Sequence, residues 1–80
     1  MEVCIKNTCN DCLKISTIKS ANILRNSLEL SFGNAMDSFS AFNKMRDFGI
    51  QCSHAGSDAP DGPMVMLFNL NSNGFNFQFM

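Results

Sequence analysis

Four cysteines and one histidine are the side chains of this chain whose types and spacing could do chemistry. Cys9 and Cys12 form a C-x2-C pair within the stretch NTCNDC, and Cys52 and His54 form a C-x-H pair further along the chain. Two thiolates from one turn, joined by a second pair of ligands, can hold zinc in a tetrahedral site with Zn–S distances of about 2.3 Å. The spacing makes Cys9, Cys12, Cys52 and His54 candidate zinc ligands, with Cys4 as a rival, and we expect no other cofactor.

Other roles for these side chains remain open. Thiols in the cytosol are kept reduced, so we expect ordinary free cysteines ahead of a zinc site, and a disulfide or redox role is a further alternative. Cys52 and His54 would share one face of a strand and could pair a thiolate with an imidazole, as in a small Cys/His enzyme. Nothing in the sequence orients such a pair, and it contains no phosphate-binding loop or G-x-S-x-G motif. We therefore expect no enzymatic activity.

The charge balance bears on nucleic-acid binding. The formal net charge is −1, whereas a general nucleic-acid binder needs a basic surface that neutralises phosphates. The segment 1–25 is richer in basic than in acidic side chains. Its basic side chains are Lys6, Lys14, Lys19 and Arg25. A zinc-knuckle domain that contacts nucleic acid through them is the alternative function, although the overall charge gives no reason to expect a nucleic-acid partner.

The hydropathy pattern gives no sign of a membrane segment. The longest apolar run, PMVMLF at 63–68, is far shorter than the ~20 residues that span a bilayer. The N-terminal stretch MEVCIKNTCNDC also lacks the apolar segment of a secretory signal. We therefore expect a cytoplasmic protein without a membrane partner.

One helix stands out among the elements that must position these side chains. Asn34 is a good N-cap, and Asp37 falls in the first turn, where a carboxylate meets free backbone N–H groups. Lys44 and Arg46 lie near the C-terminal end, where cations are favoured, and Gly49 supplies a left-handed stop. These signals predict a helix over about 35–48.

Alternating apolar and polar side chains predict strands on both sides of that helix. The stretches that alternate before it are MEVCIK, LKISTIK and LRNSLELSF; those after it are a short IQC, a buried MVMLFNL and the tail FNFQFM. A helix within 17–30 is the competing interpretation, but the many Ser, Thr and Asn residues there are poor helix formers. A loop is expected over 53–63, and Asn73-Gly74 predicts a hairpin between the last two strands.

These elements predict a single α+β domain over residues 1–80. Strands fall on both sides of one amphipathic helix, so the simplest arrangement is a small, mainly antiparallel sheet of about 4–5 strands with the helix packed on one face.

The predicted helix is apolar over more of its circumference than one sheet requires. Its large apolar residues recur every third position, so the stripe drifts around the helix instead of keeping to one line. A helix packed on a single sheet buries a narrower face. Loops could cover the extra apolar surface of the helix. The alternative, which we adopt, is that a bound partner covers it. The residues that we expect to bind it are Met36, Met45, Phe48 and Arg46.

The C-terminal stretch NGFNFQFM raises a separate question. Alternation places Phe75, Phe77 and Phe79 on one face of a strand. They could form a core strand facing Phe39 and Phe42 of the helix, a platform for base stacking, or a surface for another protein. Because the helix offers the nearest large apolar surface, we expect the core strand.

The resulting prediction is a small non-enzymatic protein–protein binding module, with a protein partner or a second copy of itself bound. Aromatic residues and Met are enriched at interface cores, and the chain has eight Phe and six Met but no Trp or Tyr. This bias, together with many Asn and Ser, indicates AT-rich coding and favours a phage or mobile-element origin. The partner would then be a host or defence protein, inhibited in the manner of an anti-CRISPR.

Overall fold

The helix forms where its capping signals predict it. The computed structural model describes residues 1–56, 58, 60 and 62–80. Helix α1 spans Ala35–Asp47, and the side chain of Asn34 accepts a hydrogen bond of 2.8 Å from the backbone N–H of Asp37. This bond satisfies one of the free donors of the first turn. At the other end, Gly49 takes a φ of 93° and its N–H donates to the carbonyl of Arg46, which closes the helix.

The strands of the described residues form two antiparallel sheets. The strands are β1 (Val3–Lys6), β2 (Cys12–Ile15), β3 (Ile18–Ile23), β4 (Ser27–Phe32), β5 (Gln51–Ala55), β6 (Met64–Phe68) and β7 (Asn76–Phe79). The first sheet has the order β2-β1-β7, and the second has the order β3-β4-β6-β5. Helix α1 packs against β5, β6 and β4. The α+β class and the helix packed on an antiparallel sheet are therefore confirmed.

One hydrophobic core joins both sheets and the helix. The register of the second sheet places Leu28 opposite Leu67 and Leu30 opposite Val65, and all four side chains are fully buried. The buried residues of β1 and β2 belong to the same cluster. Because successive side chains of a strand point to opposite faces, the buried residues of β4 and β6 define one inner face. The helix and the first sheet both cover that face.

Strand β6 differs from the buried strand that the sequence predicts. Val65 and Leu67 are buried, whereas Met64, Met66 and Phe68 are half-buried and do not belong to the core cluster. These three side chains point to the outer face of the second sheet. The strand is therefore packed on one face only, which is the common arrangement in antiparallel sheets.

The predicted hairpin between the last two strands is wrong. Asn71–Asn73 form a short 3₁₀ turn, and Gly74 takes a left-handed φ of 81°, so the local turn signal is correct. Strand β7 nevertheless pairs with β1 and not with β6. The left-handed φ favours glycine at position 74, and a Cβ there would also meet the methyl group of Thr8. Two sheets therefore take the place of the single sheet expected.

Two further segment predictions have separate outcomes. Strands β3 and β4 occupy most of 17–30, so the strand interpretation is confirmed and the helical alternative is wrong. Strand β5 extends through Ala55, so the loop expected over 53–63 begins later. Residues 57, 59 and 61 of that loop lie outside the described residues.

Candidate functional site

An exposed aromatic surface lies on the side of α1 next to strand β5. Phe39 is 54% exposed, and Met36, one turn earlier, is 81% exposed. The ring centroid of Phe39 lies 6.5 Å from that of Phe42, and each lies 5.7 Å from the imidazole of His54. The guanidinium of Arg46 lies over the Phe42 ring, 5.5 Å from its centroid. We call these five residues the helix patch: Met36, Phe39, Phe42, Arg46 and His54.

The spacing along the helix explains why the helix patch lies at the β5 edge. Phe39, Phe42 and Arg46 follow one another at intervals of three and four residues, which places them on one side of a helix. Asp37 and Lys44 lie on the other side, where they line a small cleft against the end of β2. The helix patch therefore faces away from the first sheet.

A hydrogen bond fixes His54 at the base of the helix patch. Ser38 is fully buried, and its Oγ lies 2.9 Å from His54 Nε2 and 2.9 Å from the carbonyl oxygen of Ala35. A carbonyl cannot donate, so the hydroxyl proton goes to Ala35 and the Nε2–H of His54 donates to the Ser38 oxygen. The imidazole is thereby held where it meets Phe39 and Phe42.

Burial distinguishes Cys52 from the usual reactive cysteine. Cys52 precedes His54 by two residues on the same face of β5, and its Sγ lies 4.0 Å from the carbonyl oxygen of Phe42. Burial raises the pKa of the Cys52 thiol, and the positive charge of Arg46 offsets part of that rise. Reactive cysteines have lowered pKa values, because the thiolate is the nucleophile. The hydroxyl of Ser38 is no substitute, since it is completely buried and cannot reach a substrate.

The structure separates the four residues that the sequence predicts to bind a partner. Met36 and Arg46 are exposed and belong to the helix patch. Met45 is fully buried, and Phe48 is half-buried against Phe75, with 6.0 Å between the ring centroids. The prediction is therefore wrong for Met45, because the drifting stripe turns this residue into the core, whereas for the half-buried Phe48 it stays a prediction.

Three members of the helix patch were not predicted. From the sequence, Phe39 and Phe42 are expected against the C-terminal strand, and His54 is expected only as a metal ligand or a base. The spacing of three residues between Met36 and Phe39 is the signal that could have indicated a shared exposed side. Nothing local indicates His54, because its contact with the helix depends on how β5 pairs with β6.

The candidate zinc ligands do not converge. Cys12 forms a disulfide with Cys4, between strands β1 and β2, and Cys9 is exposed in the loop that joins these strands. Cys52 and His54 lie on β5 in the second sheet. Within the described residues, no three Cys, His, Asp or Glu side chains come together in a way that could hold a metal ion. The set of donors therefore does not fit zinc, and the free thiols expected at Cys4 and Cys12 are replaced by a disulfide.

Other surfaces offer less for binding or chemistry. Lys6 and Lys14 share the outer face of the first sheet, whereas Lys19 lies on β3 and Arg25 lies in the turn after it. A cleft of about 150 Å³ lies between that turn and the segment 69–72. Pockets for small molecules commonly reach ~300–1,000 Å³, so this cleft is small for a substrate.

Comparisons with known proteins add no functional information. The chain has no significant match among protein-family models, curated proteins or solved structures. The described residues contain no helix that is long and apolar enough to cross a membrane. A function must therefore be inferred from the geometry of the site.

Proposed function

We propose that this chain is a non-enzymatic protein-binding module that uses the helix patch to occupy the surface of a protein partner. The observation that carries the proposal is the exposure of Phe39 and Met36 beside Phe42 and His54. Aromatic residues, Met and Arg are enriched at interface cores, and a few such anchors supply most of the binding energy. Arg46 adds a charged donor that suits a carboxylate or carbonyl group on the partner.

The two alternative functions have less support. A Cys/His enzyme would need an activated nucleophile, and burial raises the pKa of Cys52. A zinc-knuckle domain would need Cys9, Cys12, Cys52 and His54 to meet at one point. Cys12 lies on the first sheet and Cys9 in the loop before it, whereas Cys52 and His54 lie on the second sheet. Without the zinc site, the shared face of two lysines neutralises too few phosphates to bind nucleic acid firmly.

The proposal also includes an identity for the partner. The Phe-, Met- and Asn-rich composition supports a phage-encoded inhibitor of a host or defence protein that acts in the cytoplasm. The disulfide between Cys4 and Cys12 opposes this location, because cytosolic thiols are kept reduced. In the cytoplasm the protein would therefore act with that disulfide reduced, and the backbone hydrogen bonds between β1 and β2 would hold these strands together.

A pull-down from cells of the source organism tests the proposal. Immobilised wild-type protein is compared with Phe39→Asp and with the matched control Ser40→Asp, which places the same charge one residue further along on another exposed side of α1. Because Phe39 is more than half exposed, both variants should give the wild-type circular dichroism spectrum. We expect Phe39→Asp to reduce retention of a specific partner about tenfold or more, since it removes an aromatic anchor, and Ser40→Asp to leave retention unchanged. Equal retention by the two variants would overturn the proposal.

A further inference from the structure

Strand β5 is an open edge of the second sheet, directly below the helix patch. All five residues of β5 pair with β6 on one side. In the described part of the chain no strand pairs with its other side. In an antiparallel strand, alternate residues direct their N–H and C=O groups away from the existing neighbour. The edge therefore presents unpaired backbone groups that can accept another strand.

Proteins normally protect such an edge with charged side chains, prolines or bulges, and none of these three occurs within the described residues of β5. Its sequence, QCSHA, contains no Lys, Glu, Asp or Pro, and its pairing with β6 is regular. The opposite edge, β3, carries Lys19 and a register irregularity between Ile18 and Ser20. In the first sheet, β2 carries Lys14. Strand β7 is also uncharged, but it is one residue shorter, and its Phe77 packs against the core.

The edge is complementary to itself. A second copy that pairs antiparallel to β5, with a twofold axis at Ser53, would place Cys52 opposite the second copy's His54 and Gln51 opposite the second copy's Ala55. No pair of like charges meets in this register, and the net charge of −1 gives little repulsion between copies. Each of these contacts occurs twice, as a closed twofold interface requires.

The helix patch would be buried by the same arrangement. Helix α1 contacts β5 most, then β6 and β4, so its axis lies inward of the edge. With strands about 4.8 Å apart, the two copies of α1 would run antiparallel at about 10 Å, which is a normal distance for packed helices. Phe39 and Phe42 lie on the side of α1 that would face the second helix.

The size of this interface sets the expected strength of association. The helix is about 20 Å long by its 13 residues, and helix plus sheet are about 20 Å thick, so each copy would bury about 400–500 Å². This is about a tenth of the surface area of 4845 Å². The total of about 800–1,000 Å² lies below the ~1,200–2,000 Å² of stable interfaces and in the range of weak, transient ones, which fits a dimer that dissociates on dilution.

We infer that two copies of this chain associate by antiparallel pairing of their β5 strands about Ser53, with Phe39 and Phe42 of both helices packed between them. This inference rests on the proposed function, because it assigns a second copy as the partner of the helix patch. The dimer would have a continuous eight-stranded sheet with two antiparallel helices on one face.

Sedimentation velocity on the full chain, from about 1 μM to about 1 mM, tests the dimer over the range in which such an interface dissociates. Ser53 meets its own copy at the axis, so Ser53→Lys or Ser53→Glu places two like charges opposite each other. Either variant alone should raise the dissociation constant about fivefold, and an equimolar mixture should restore a heterodimer, since opposite charges then meet. Ser20→Lys, on the other edge of the same sheet, is the control and should leave the dimer intact. Phe39→Ser should weaken it about tenfold or more.

The outcomes also separate this inference from the proposed function. A wild-type chain that stays monomeric throughout, or a dimer that Ser53→Lys and Ser53→Glu do not weaken, overturns the pairing through β5. If the chain is monomeric and the pull-down still recovers a protein that Phe39→Asp releases and Ser53→Lys retains, the dimer is excluded while the helix patch keeps its binding role. If neither assay depends on Phe39, both proposals fail.

Discussion

The buried hydroxyl of Ser38 and the imidazole of His54 lie 2.9 Å apart, and their hydrogen bond joins helix α1 to strand β5. The bond holds the imidazole between Phe39 and Phe42, so a contact inside the domain shapes the surface that we propose for binding. Deletion of the hydroxyl should therefore affect both the stability and the order of the helix patch.

We predict that Ser38→Ala lowers the free energy of unfolding by about 1 kcal/mol, because it removes a hydrogen bond to a buried group. Ser40→Ala is the matched control: Ser40 is exposed on the same helix and gains the same helix propensity on substitution. The difference between the two variants in urea denaturation gives the joint contribution of the two hydrogen bonds that the Ser38 hydroxyl makes, to His54 and to the carbonyl of Ala35. If Ser38→Ala is as stable as Ser40→Ala, the contact with His54 contributes nothing to folding.

Two phenylalanines with opposite environments give a second prediction. Phe75 is 7% exposed and packs on Phe48, whereas Phe39 is 54% exposed. Phe75→Ala should cost about 3–5 kcal/mol, since it removes a buried ring and leaves a cavity. A chain of 80 residues has a total stability of about 4–12 kcal/mol, so this variant should lose between about a quarter and all of it.

Phe39→Ala is the control and should change the free energy of unfolding by about 0.5 kcal/mol or less, as surface substitutions do. Thermal unfolding followed by circular dichroism gives both values. A truncation before Phe75, which also removes β7 from the edge of the first sheet, should leave the chain unfolded. A well-folded truncated chain would show that the C-terminal strand is not part of the core.

The helix could be predicted from the sequence because its signals are local. Asn34, Asp37 and Gly49 each act within one turn of the helix end that they define, and the structure places the helix between Asn34 and Gly49. The period of two in β4 is equally local, since alternate side chains of a half-buried strand face the core.

The pairing of the C-terminal strand could not be predicted in the same way. The Asn73-Gly74 signal correctly indicates a turn, but it does not determine whether the strand after the turn pairs with the strand before it. Strand β7 instead pairs with β1 from the other end of the chain, in a register that sets Phe77 opposite Ile5. The disulfide could not be predicted for the same reason, because Cys4 and Cys12 become neighbours only when β1 pairs with β2.

The exposed side of the helix can be predicted only in part from the sequence. The repeat of apolar residues indicates a surplus of apolar surface, and Met36 and Arg46 do lie on it. The helix positions alone do not show which side meets the sheet, and for that reason they predict Met45 at the surface and Phe39 in the core. The contacts of α1 with β5, β6 and β4 decide the orientation.

The disulfide between Cys4 and Cys12 yields a third prediction. Protein purified without reductant and alkylated after denaturation should carry two labels, at Cys9 and Cys52, with Cys4 and Cys12 linked in one peptide pair by mass spectrometry. Because the bond closes a loop of about nine residues, its reduction should lower the free energy of unfolding by about 2–3 kcal/mol in the chain-entropy model. Cys9→Ser should leave this difference unchanged, and a protein that takes four labels would contradict the bond.

The raised pKa of Cys52 gives the fourth prediction. Alkylation requires the thiolate, so iodoacetamide should label Cys52 slowly near neutral pH, and the rate should rise only as the pH passes a value above that of an ordinary thiol. The raised pKa also means that the unfolded chain loses this proton first. The stability that goes with a protonated Cys52 thiol is therefore fully present below the pKa of the unfolded thiol, about 8.5. It is lost as the pH rises through the pKa that Cys52 has in the folded chain.

Arg46 provides the control for this fourth prediction. Its positive charge lowers the pKa of Cys52 against the larger effect of burial, so Arg46→Gln should raise that pKa further and slow the labelling at a fixed pH. Lys44→Gln removes an equal charge from the other side of the same helix and should leave the rate unchanged. All of these variants should also carry Cys9→Ser and be kept oxidised, so that the bond between Cys4 and Cys12 stays closed. Cys52 is then the single free thiol, and its labelling can be followed by mass spectrometry. Rapid labelling of Cys52 at neutral pH would restore the Cys/His enzyme as a candidate, because it would require a thiolate that burial should suppress.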